Sequence, residues 1–322
     1  MTDLSILIVS YKGWNRLVKC LESLDSFSGE KFSFEVIVVD NKSDEEMIGR
    51  IEKRFNKFRF IHNQINGGYA NGCNLAARNA NGSFFLILNP DTVASETEVE
   101  KLLLMAKENP HYGIVSSKQV TEKGKECIVT GEFPRFLNLT GLQRAVFQTR
   151  KSSGKKIDME VSFPDWISGS VVMMSSANFS RIDGLDEDFW MYFEDVDLCR
   201  RVRHLNLEVA YCGNITIEHN HGGSSRINLK TATLTKTEVH ISRHLYISKH
   251  KSGTERALIQ VFLVINNLIS SGLTAIPGVI FFFVPKLFVR TLIFIGLINY
   301  YSGALSHFSW ISPRSVNYGK KR

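Results

Sequence analysis

The sequence predicts an α/β fold built on a mostly parallel sheet flanked by helices, and three apolar runs predict it. Leu4–Val9, Glu35–Asp40 and Phe84–Leu88 are short, rich in branched or aromatic residues and largely apolar. Runs of that kind suit strands buried on both faces, as the inner strands of a parallel sheet are. Helix-like segments lie among them, over Trp14–Leu24, Asp44–Phe55 and Gly72–Asn79. Strands alternating with helices imply an open sheet with right-handed crossovers. The polar residues that follow each run are Ser10-Tyr11-Lys12, Asp40-Asn41 and Asn89-Pro90-Asp91. They should converge beyond the carboxyl ends of the strands, where open α/β sheets bind ligands.

Further along, Glu96–Glu108 reads as a helix stopped by Asn109-Pro110, and Ile114–Val120 as another strand. Residues 121–163 mix turn signals, lysines and isolated apolar positions, and read as a loop or lid with no assigned element. Two stretches near the end, Leu258–Pro285 and Thr291–Pro313, contain no charged residue. About 20 apolar residues suffice to cross a bilayer. Yet Asn266-Asn267, Ser270-Ser271-Gly272 and Pro277-Gly278 interrupt the first stretch. A two-span hairpin would also leave Lys286 and Arg290 on the outer side, against the positive-inside tendency. Helices lying on the inner leaflet of the cytoplasmic membrane, or re-entering it, are therefore the expectation. The alternatives are true spans through residues 258–306, a buried helical pair, or a homo-oligomer contact. The expected division is a sheet domain over residues 1–250, its two halves meeting near residue 95, and a membrane-associating helical region over 251–322.

Composition narrows the partners. With 322 residues, 43% hydrophobic and 22% charged, the chain is globular rather than disordered. A net charge of +7 favours a polyanionic partner. No Lys/Arg-rich block, zinc-finger spacing or nucleic-acid motif stands in the sequence, so an anionic membrane surface is expected and nucleic acid is not. The five cysteines are odd in number and widely spaced, which reads as reduced thiols in a cytosolic compartment. The first ten residues lack the basic region and apolar core of a signal peptide.

The stretch Asp183–Arg201 crowds carboxylates against Phe189, Trp190, Tyr192 and Phe193. A carboxylate beside apolar bulk has a raised pKa and can accept a proton near neutral pH. Equally, Glu194, Asp195 and Asp197 suit the first turn of a helix. Asp40 follows a strand, where it can hold a base or ribose or cap the next helix. Asn66–Asn74 holds three glycines and three asparagines, which permit close backbone approach and positive φ, although an ordinary turn explains them equally. The spacing is neither a P-loop nor a dinucleotide fingerprint. Asp91, at the end of a strand, can bind Mg²⁺ or Mn²⁺ that bridges two phosphates, or serve as a turn residue beside proline. His219 and His221 follow an apolar run at strand spacing, and imidazole can complete the shell of a Mn²⁺-type ion.

Three blocks carry a resemblance. They run from Leu4-Ser-Ile-Leu-Ile-Val-Ser-Tyr11 to Asp40-Asn41, from Asn66-Gly-Gly-Tyr69 through Asn74 to Asn89-Pro90-Asp91, and from Trp166-Ile-Ser-Gly169 through Glu194-Asp195-Val-Asp-Leu-Cys-Arg-Arg201 to His219. In order and spacing the set, covering about residues 4–250, resembles the inverting family 2 glycosyltransferases of GT-A fold, and most of all bacterial rhamnosyltransferases. Lys12 departs from the Asn that relatives commonly carry, which bears on a local nucleotide contact. The resemblance implies that Asp40 holds the base or ribose, with Ser10, Tyr11, Asn41, Gly68, Asn74 and Asn89 around the nucleotide. It implies a metal on Asp91 and His219, with His221 the rival ligand. Asp195 would be the catalytic base, supported by Glu194. Trp166, Ser168 and Gly169 would line the acceptor side. Arg201 would pair with Glu194 or Asp195, bind diphosphate, or form an ordinary helix ion pair. Asp183, Asp186 and Asp188 read as turn residues, and Asp197 as a first-turn carboxylate.

The implied reaction is a single displacement from a nucleotide-diphosphate sugar to a saccharide or lipid-linked saccharide. The expected donor is dTDP-rhamnose, with a UDP-hexose or UDP-galactofuranose as the alternative. A non-catalytic nucleotide-sugar-binding scaffold is the rival from another class, and Asp91, Asp195 and His219 together argue against it. A nucleotidyltransferase would need a Gly-rich loop with a basic triphosphate clamp near the first strand, and none is there.

Overall fold

Leu4–Ser10 (β1) is buried at all seven positions. It lies between Phe34–Asp40 (β2) and Phe84–Leu88 (β4), parallel to both, and Arg59–His62 (β3) extends the sheet beyond β2. The crossovers are Trp14–Asp25 (α1), Glu45–Arg54 (α2) and Gly68–Arg78 (α3). Leu17, Leu21 and Leu24 of α1 and Ile48 and Ile51 of α2 close over Leu4, Ile6 and Ile8 of the sheet. In this computed structural model residues 2–139, 160–220 and 228–320 are described. The chain divides into two compact units. One takes in Met1–Phe133, Gly154–Asp186 and Glu194–Ser224, and the other Pro134–Ser153, Glu187–Phe193 and Ser225–Arg322.

In the first unit α3 starts four residues earlier than its apolar spacing suggests, at Gly68, whose φ of +88° suits glycine. The next glycine of that helix, Gly72, lies against the sheet: a Cβ there would sit 2.6 Å from Val9 Cγ1. After β4 come Thr92–Val93 (β5), Glu96–Glu108 (α4, capped by Ser95 Oγ, which accepts from Glu98 N) and Tyr112–Val120 (β6). Thr130–Gly131 (β7), Val161–Ser162 (β8), Trp166–Ile167 (β9), Val171–Ser175 (β10) and Glu208–His219 (β11) complete the strands among the described residues. The main sheet runs β3-β2-β1-β4-β10-β6-β11-β5, with β8 against β11.

β10 is antiparallel to both β4 and β6, whereas β11 is parallel to β6. β3, β2, β1, β4, β6 and β11 therefore share one direction and β10, β5 and β8 oppose it, so the sheet is mostly parallel as expected, with β10 reversed inside it. An apolar run marks a central strand whatever its direction, so the reversal was not in the pattern. Between residues 121 and 163, where no element was assigned, β7 and β8 form, and 140–159 lie outside the described residues.

The second unit is built on Leu229–His250, Gly253–Ile280 and Pro285–His307. Asn228 caps the first, its Oδ1 accepting from Thr231 N. Ile241, Leu297, Tyr300 and Tyr301 form a small apolar core. A polar chain runs beside it. His240 Nδ1 lies 3.0 Å from Asn267 Oδ1, Asn267 Nδ2 donates to Tyr301 OH at 2.9 Å, and Tyr301 OH lies 2.9 Å from His244 Nε2. His244 Nδ1 closes the chain on Gln260 Oε1. Burial pushes His244 down to about 4, so the ring is neutral near pH 7 and stacks on Trp310. Such a network is satisfied in one helix pairing alone, and so selects it. Asp188 lies in a turn, as expected, and is fully buried there, with Lys249 Nζ at 2.6 Å and Asn317 Nδ2 donating at 2.9 Å.

Because Gly72 packs on Val9 without room for a side chain, Gly72→Val overpacks the α3–sheet seam. It is expected to lower stability by about 2 kcal/mol, read as a lower urea midpoint at unchanged slope.

Candidate active site

Ser10 and Asp40 are register partners at the carboxyl ends of β1 and β2, and both are buried. Asp40 Oδ2 accepts from Ser43 N at 3.0 Å, the capping bond its position allowed. Asp40 Oδ1 and Ser10 Oγ have no hydrogen-bond partner among the described residues. Buried polar atoms left unpaired are costly, so two of them side by side mark a place where a ligand completes the bonding. Tyr11 follows, with Lys12 Nζ 5.3 Å from its ring centre. Asn41 Nδ2 donates to Asn66 Oδ1 and Gly68 O, and its Oδ1 accepts from Asn63. Asn41 thus braces the turn into α3.

Asp91 and His219 meet because β5 pairs antiparallel with the end of β11, His219 standing opposite Thr92. His219 Nε2 lies 3.2 Å from Asp91 Oδ1. The other ring nitrogen, Nδ1, is 2.7 Å from Gln119 Oε1, which also accepts from Ser170 Oγ at 2.8 Å. An amide oxygen can only accept, so Nδ1 donates, and in the neutral ring Nε2 turns a bare lone pair toward a carboxylate. A cation shared by the two atoms would suit that arrangement. Adjacent ligands of an octahedral ion with arms of about 2.1 Å stand about 3 Å apart, close to the separation found. Among the described residues no three His, Cys, Asp or Glu side chains converge. Two protein ligands are what a diphosphate-bridging Mg²⁺ or Mn²⁺ uses, so the residues fit such an ion. Arg16 Nη1 lies 3.4 Å from Asp91 Oδ2 and donates to Asn220 O, adding positive charge to the same corner.

Asp195 stands in the first turn of the helix Glu194–His204. Its Oδ2 accepts from Gly169 N at 3.0 Å and its Oδ1 from Val196 N at 2.8 Å. Burial raises its pKa above the usual carboxylate value, outweighing the backbone hydrogen bonds that lower it. Gly169 is held in turn, its carbonyl accepting from Tyr69 OH at 2.8 Å. A Cβ on Gly169 would come within 3.3 Å of Asp195 Cβ, so glycine is what lets this backbone reach the carboxylate. Trp166 Nε1 donates to Glu132 O, and its indole covers Gly131. Ser168 N donates to Val129 O at 2.7 Å. Glu194 is buried, close enough to raise the pKa of both Tyr69 and Cys73. The two residues before it, Tyr192 and Phe193, have φ of +68° and +66°, a conformation that costs a bulky side chain about 1–3 kcal/mol.

Residues 5–153 match the family described as Glycosyl transferase family 2, and residues 152–221 match the N-terminal domain of galactosyltransferase. The chain contains a family 2 glycosyltransferase domain. It is 27% identical over 224 residues to the low-salt glycan biosynthesis hexosyltransferase Agl10 of Haloferax volcanii, covering 68% of each chain. It is 22% identical over 277 residues to the N-acetylglucosaminyl-diphospho-decaprenol L-rhamnosyltransferase of Mycobacterium tuberculosis, covering 80% of this chain and 88% of that one. Among solved structures it shares its fold with GalNAc-T7, solved with UDP, GalNAc and Mn²⁺, at a TM-score of 0.54 and 13% identity. That match covers 81% of this chain and 54% of the other.

Several residues of this glycosyltransferase domain do other work than their sequence position implied. Asn74, expected at the nucleotide, has both amide atoms engaged by Leu185, donating to its O at 2.8 Å and accepting from its N at 2.9 Å. Arg201 forms the ordinary helix ion pair expected as one of its three alternatives and does not reach Glu194 or Asp195. Its Nε binds Asp197 Oδ2 at 2.7 Å, and its Nη1 donates to Ile182 O and Gly184 O. The i,i+4 spacing on one helix face makes that pairing the local one. Asp197 stands in the first turn of the helix, as expected, and is buried there. Asn89 shapes the turn before Asp91, its N donating to Ser170 O and its O accepting from Thr92 Oγ1. His221 lies outside the described residues. Arg16 and Gln119 were not singled out in the sequence, where each sits in an ordinary helix or strand pattern with no motif around it, and Tyr69 stood in the Gly/Asn-rich stretch without a role assigned to it.

Arg201→Met removes the guanidinium paired with the buried Asp197 carboxylate. A loss of about 3 kcal/mol is expected, measured by chemical unfolding. Asp197→Asn in the same background should recover part of it.

Proposed function

We propose that the chain is an inverting, metal-dependent glycosyltransferase that moves a sugar from a nucleotide-diphosphate donor to a lipid-linked saccharide. The observation that carries this is the pairing of one accessible, desolvated carboxylate, Asp195, with a ligand-ready edge made by Ser10, Asp40, Asp91 and His219. Asp40 Oδ1 and Ser10 Oγ take the hydrogen bonds of the nucleoside, completing the two buried atoms left without partners. Asp91 and His219 would hold Mg²⁺ or Mn²⁺, which when bound neutralises charge on the departing diphosphate. Arg16 beside Asp91 adds a fixed positive charge toward the same phosphates.

Asp195 takes the proton of the acceptor hydroxyl as that oxygen attacks the anomeric carbon from the face opposite the leaving nucleotide. Gly169 and Val196 hold its two oxygens through backbone N–H groups, which fixes the carboxylate without protonating it. Its raised pKa makes it a better proton acceptor at neutral pH than an exposed Asp. A single base suffices because inversion forms no covalent sugar–enzyme intermediate. Trp166, Ser168 and Gly169 lie on the acceptor side of that base.

Resemblance to rhamnosyltransferases favours dTDP-rhamnose as donor. The matches to a hexosyltransferase and to a galactosyltransferase domain favour a UDP-hexose as the second reading. A lipid-linked acceptor at the cytoplasmic leaflet is supported by the name of the mycobacterial relative and by the two long apolar helices of the second unit.

Asp195→Asn should lower transfer by about 10²–10⁴-fold while leaving donor binding intact, as followed by release of nucleoside diphosphate and by titration of the donor. Full activity in that variant would sink the assignment of the base. Because Asp195 must be ionised and its pKa is raised, kcat/KM should fall with decreasing pH through a value above the usual aspartate range. Conservative changes at Tyr69 should shift that limb less than changes at Gly169. His219→Ala should abolish the extra thermal protection that Mn²⁺ gives in the presence of dTDP or UDP. Protection unchanged by the substitution would remove His219 from the metal site.

A further inference from the structure

The helix Gly253–Ile280 presents two apolar faces. Ile259, Leu263, Ala275 and Gly278 point inward, whereas Leu258, Val261, Ile265, Ile269, Leu273 and Ile276 form an exposed stripe at three- and four-residue spacing. The stripe ends on Phe281-Phe282-Phe283, the turn before Pro285–His307, with Phe282 66% and Phe283 70% exposed. Three consecutive exposed phenylalanines continuing such a stripe make a patch that water does not favour. The turn is firmly built. A Cβ on Gly278 would lie 2.4 Å from Leu287 O, and Thr291 Oγ1 donates to Ala275 O at 2.9 Å, so the two arms are in close contact just behind it.

Charge says what covers this face. Lys286 and Arg290, in the first turns of the second arm, are exposed and make no ion pair among the described residues. From Arg256 to Arg322 the sequence holds seven Lys and Arg residues and no Asp or Glu. An apolar stripe with basic flanks and no acidic residue matches an anionic lipid surface. Both arms are long and apolar enough to cross a bilayer. They are nevertheless fastened to Leu229–His250 through His240–Asn267, His244–Gln260 and the Ile241–Leu297 core. That helix carries Lys230, Lys236, Glu238, Arg243 and Lys249, and a threaded hairpin would draw these charges into hydrocarbon.

We propose that the hairpin lies along one anionic leaflet on its Leu258–Ile276 stripe. Phe281–Phe283 enter the acyl region as a wedge, and Lys286 and Arg290 bind lipid phosphates beside it. This rests on the reading of the chain as membrane-bound and adds how it is bound. The test uses the full chain floated with vesicles of phosphatidylcholine, with or without phosphatidylglycerol, followed by alkaline carbonate extraction. Wild type should float with anionic vesicles and be released by carbonate. Replacing all three residues (Phe281→Ser, Phe282→Ser and Phe283→Ser) should lower partitioning by roughly tenfold or more at an unchanged unfolding temperature. Lys286→Gln with Arg290→Gln should erase the preference for phosphatidylglycerol and its sensitivity to salt. Wild-type binding that survives carbonate, or that is unchanged in the triple variant, overturns the wedge while leaving membrane association standing. A wild-type chain that floats with neither vesicle overturns both.

Discussion

Val171–Ser175 runs antiparallel between β4 and β6, so the chain reaches Ser168–Ser170 at the edge where β1, β2 and β4 end. Much of the candidate site hangs on that reversal. Ser170 O accepts from Asn89 N, which sets the turn carrying Asp91. Ser170 Oγ binds Gln119, which in turn orients His219. One residue earlier, Gly169 N binds Asp195. A parallel strand in the same slot would leave those three residues at the opposite edge. Sheet direction, more than any one side chain, is what gathers Asp91, His219 and Asp195 around one strand end.

The electrostatics follow from that gathering. Asp40, Asp91, Glu194 and Asp195 all belong to the first unit, and each is held differently. Asp91 faces Arg16 and His219, while Asp195 faces backbone N–H groups and a low-polarity surround. A carboxylate beside a guanidinium and an imidazole is placed where it can serve as a ligand. One kept from water but not paired to a cation is better suited to taking a proton. The same residue type thus divides into two roles through surroundings alone.

How much of this was legible in sequence depended on the physical signal each element leaves. β1, β2 and β4 are buried on both faces, so their apolar runs located them to within a residue or two. β3, with exposed Arg59 and His62 at the sheet edge, has no such run and was missed. β10 was not assigned as a strand at all, and apolar continuity would not have given its direction. Asp40, Asp91, Asp195 and His219 stood out because each follows a strand or opens a helix. Gln119 lies inside β6 and Arg16 inside α1, where polar residues are common and only the tertiary neighbour shows their use. Asn74 misled for the converse reason: it sits in a Gly/Asn-rich stretch but faces Leu185.

Tyr192 and Phe193, both left-handed, come immediately before the helix that carries Asp195. Glycine or asparagine would relax the backbone there. A search for hardier versions of this protein, scored by heat resistance alone, would therefore be drawn to these two positions. What it gained in resilience it would surrender in the aim of the carboxylate, since a slack approach lets the helix start wander.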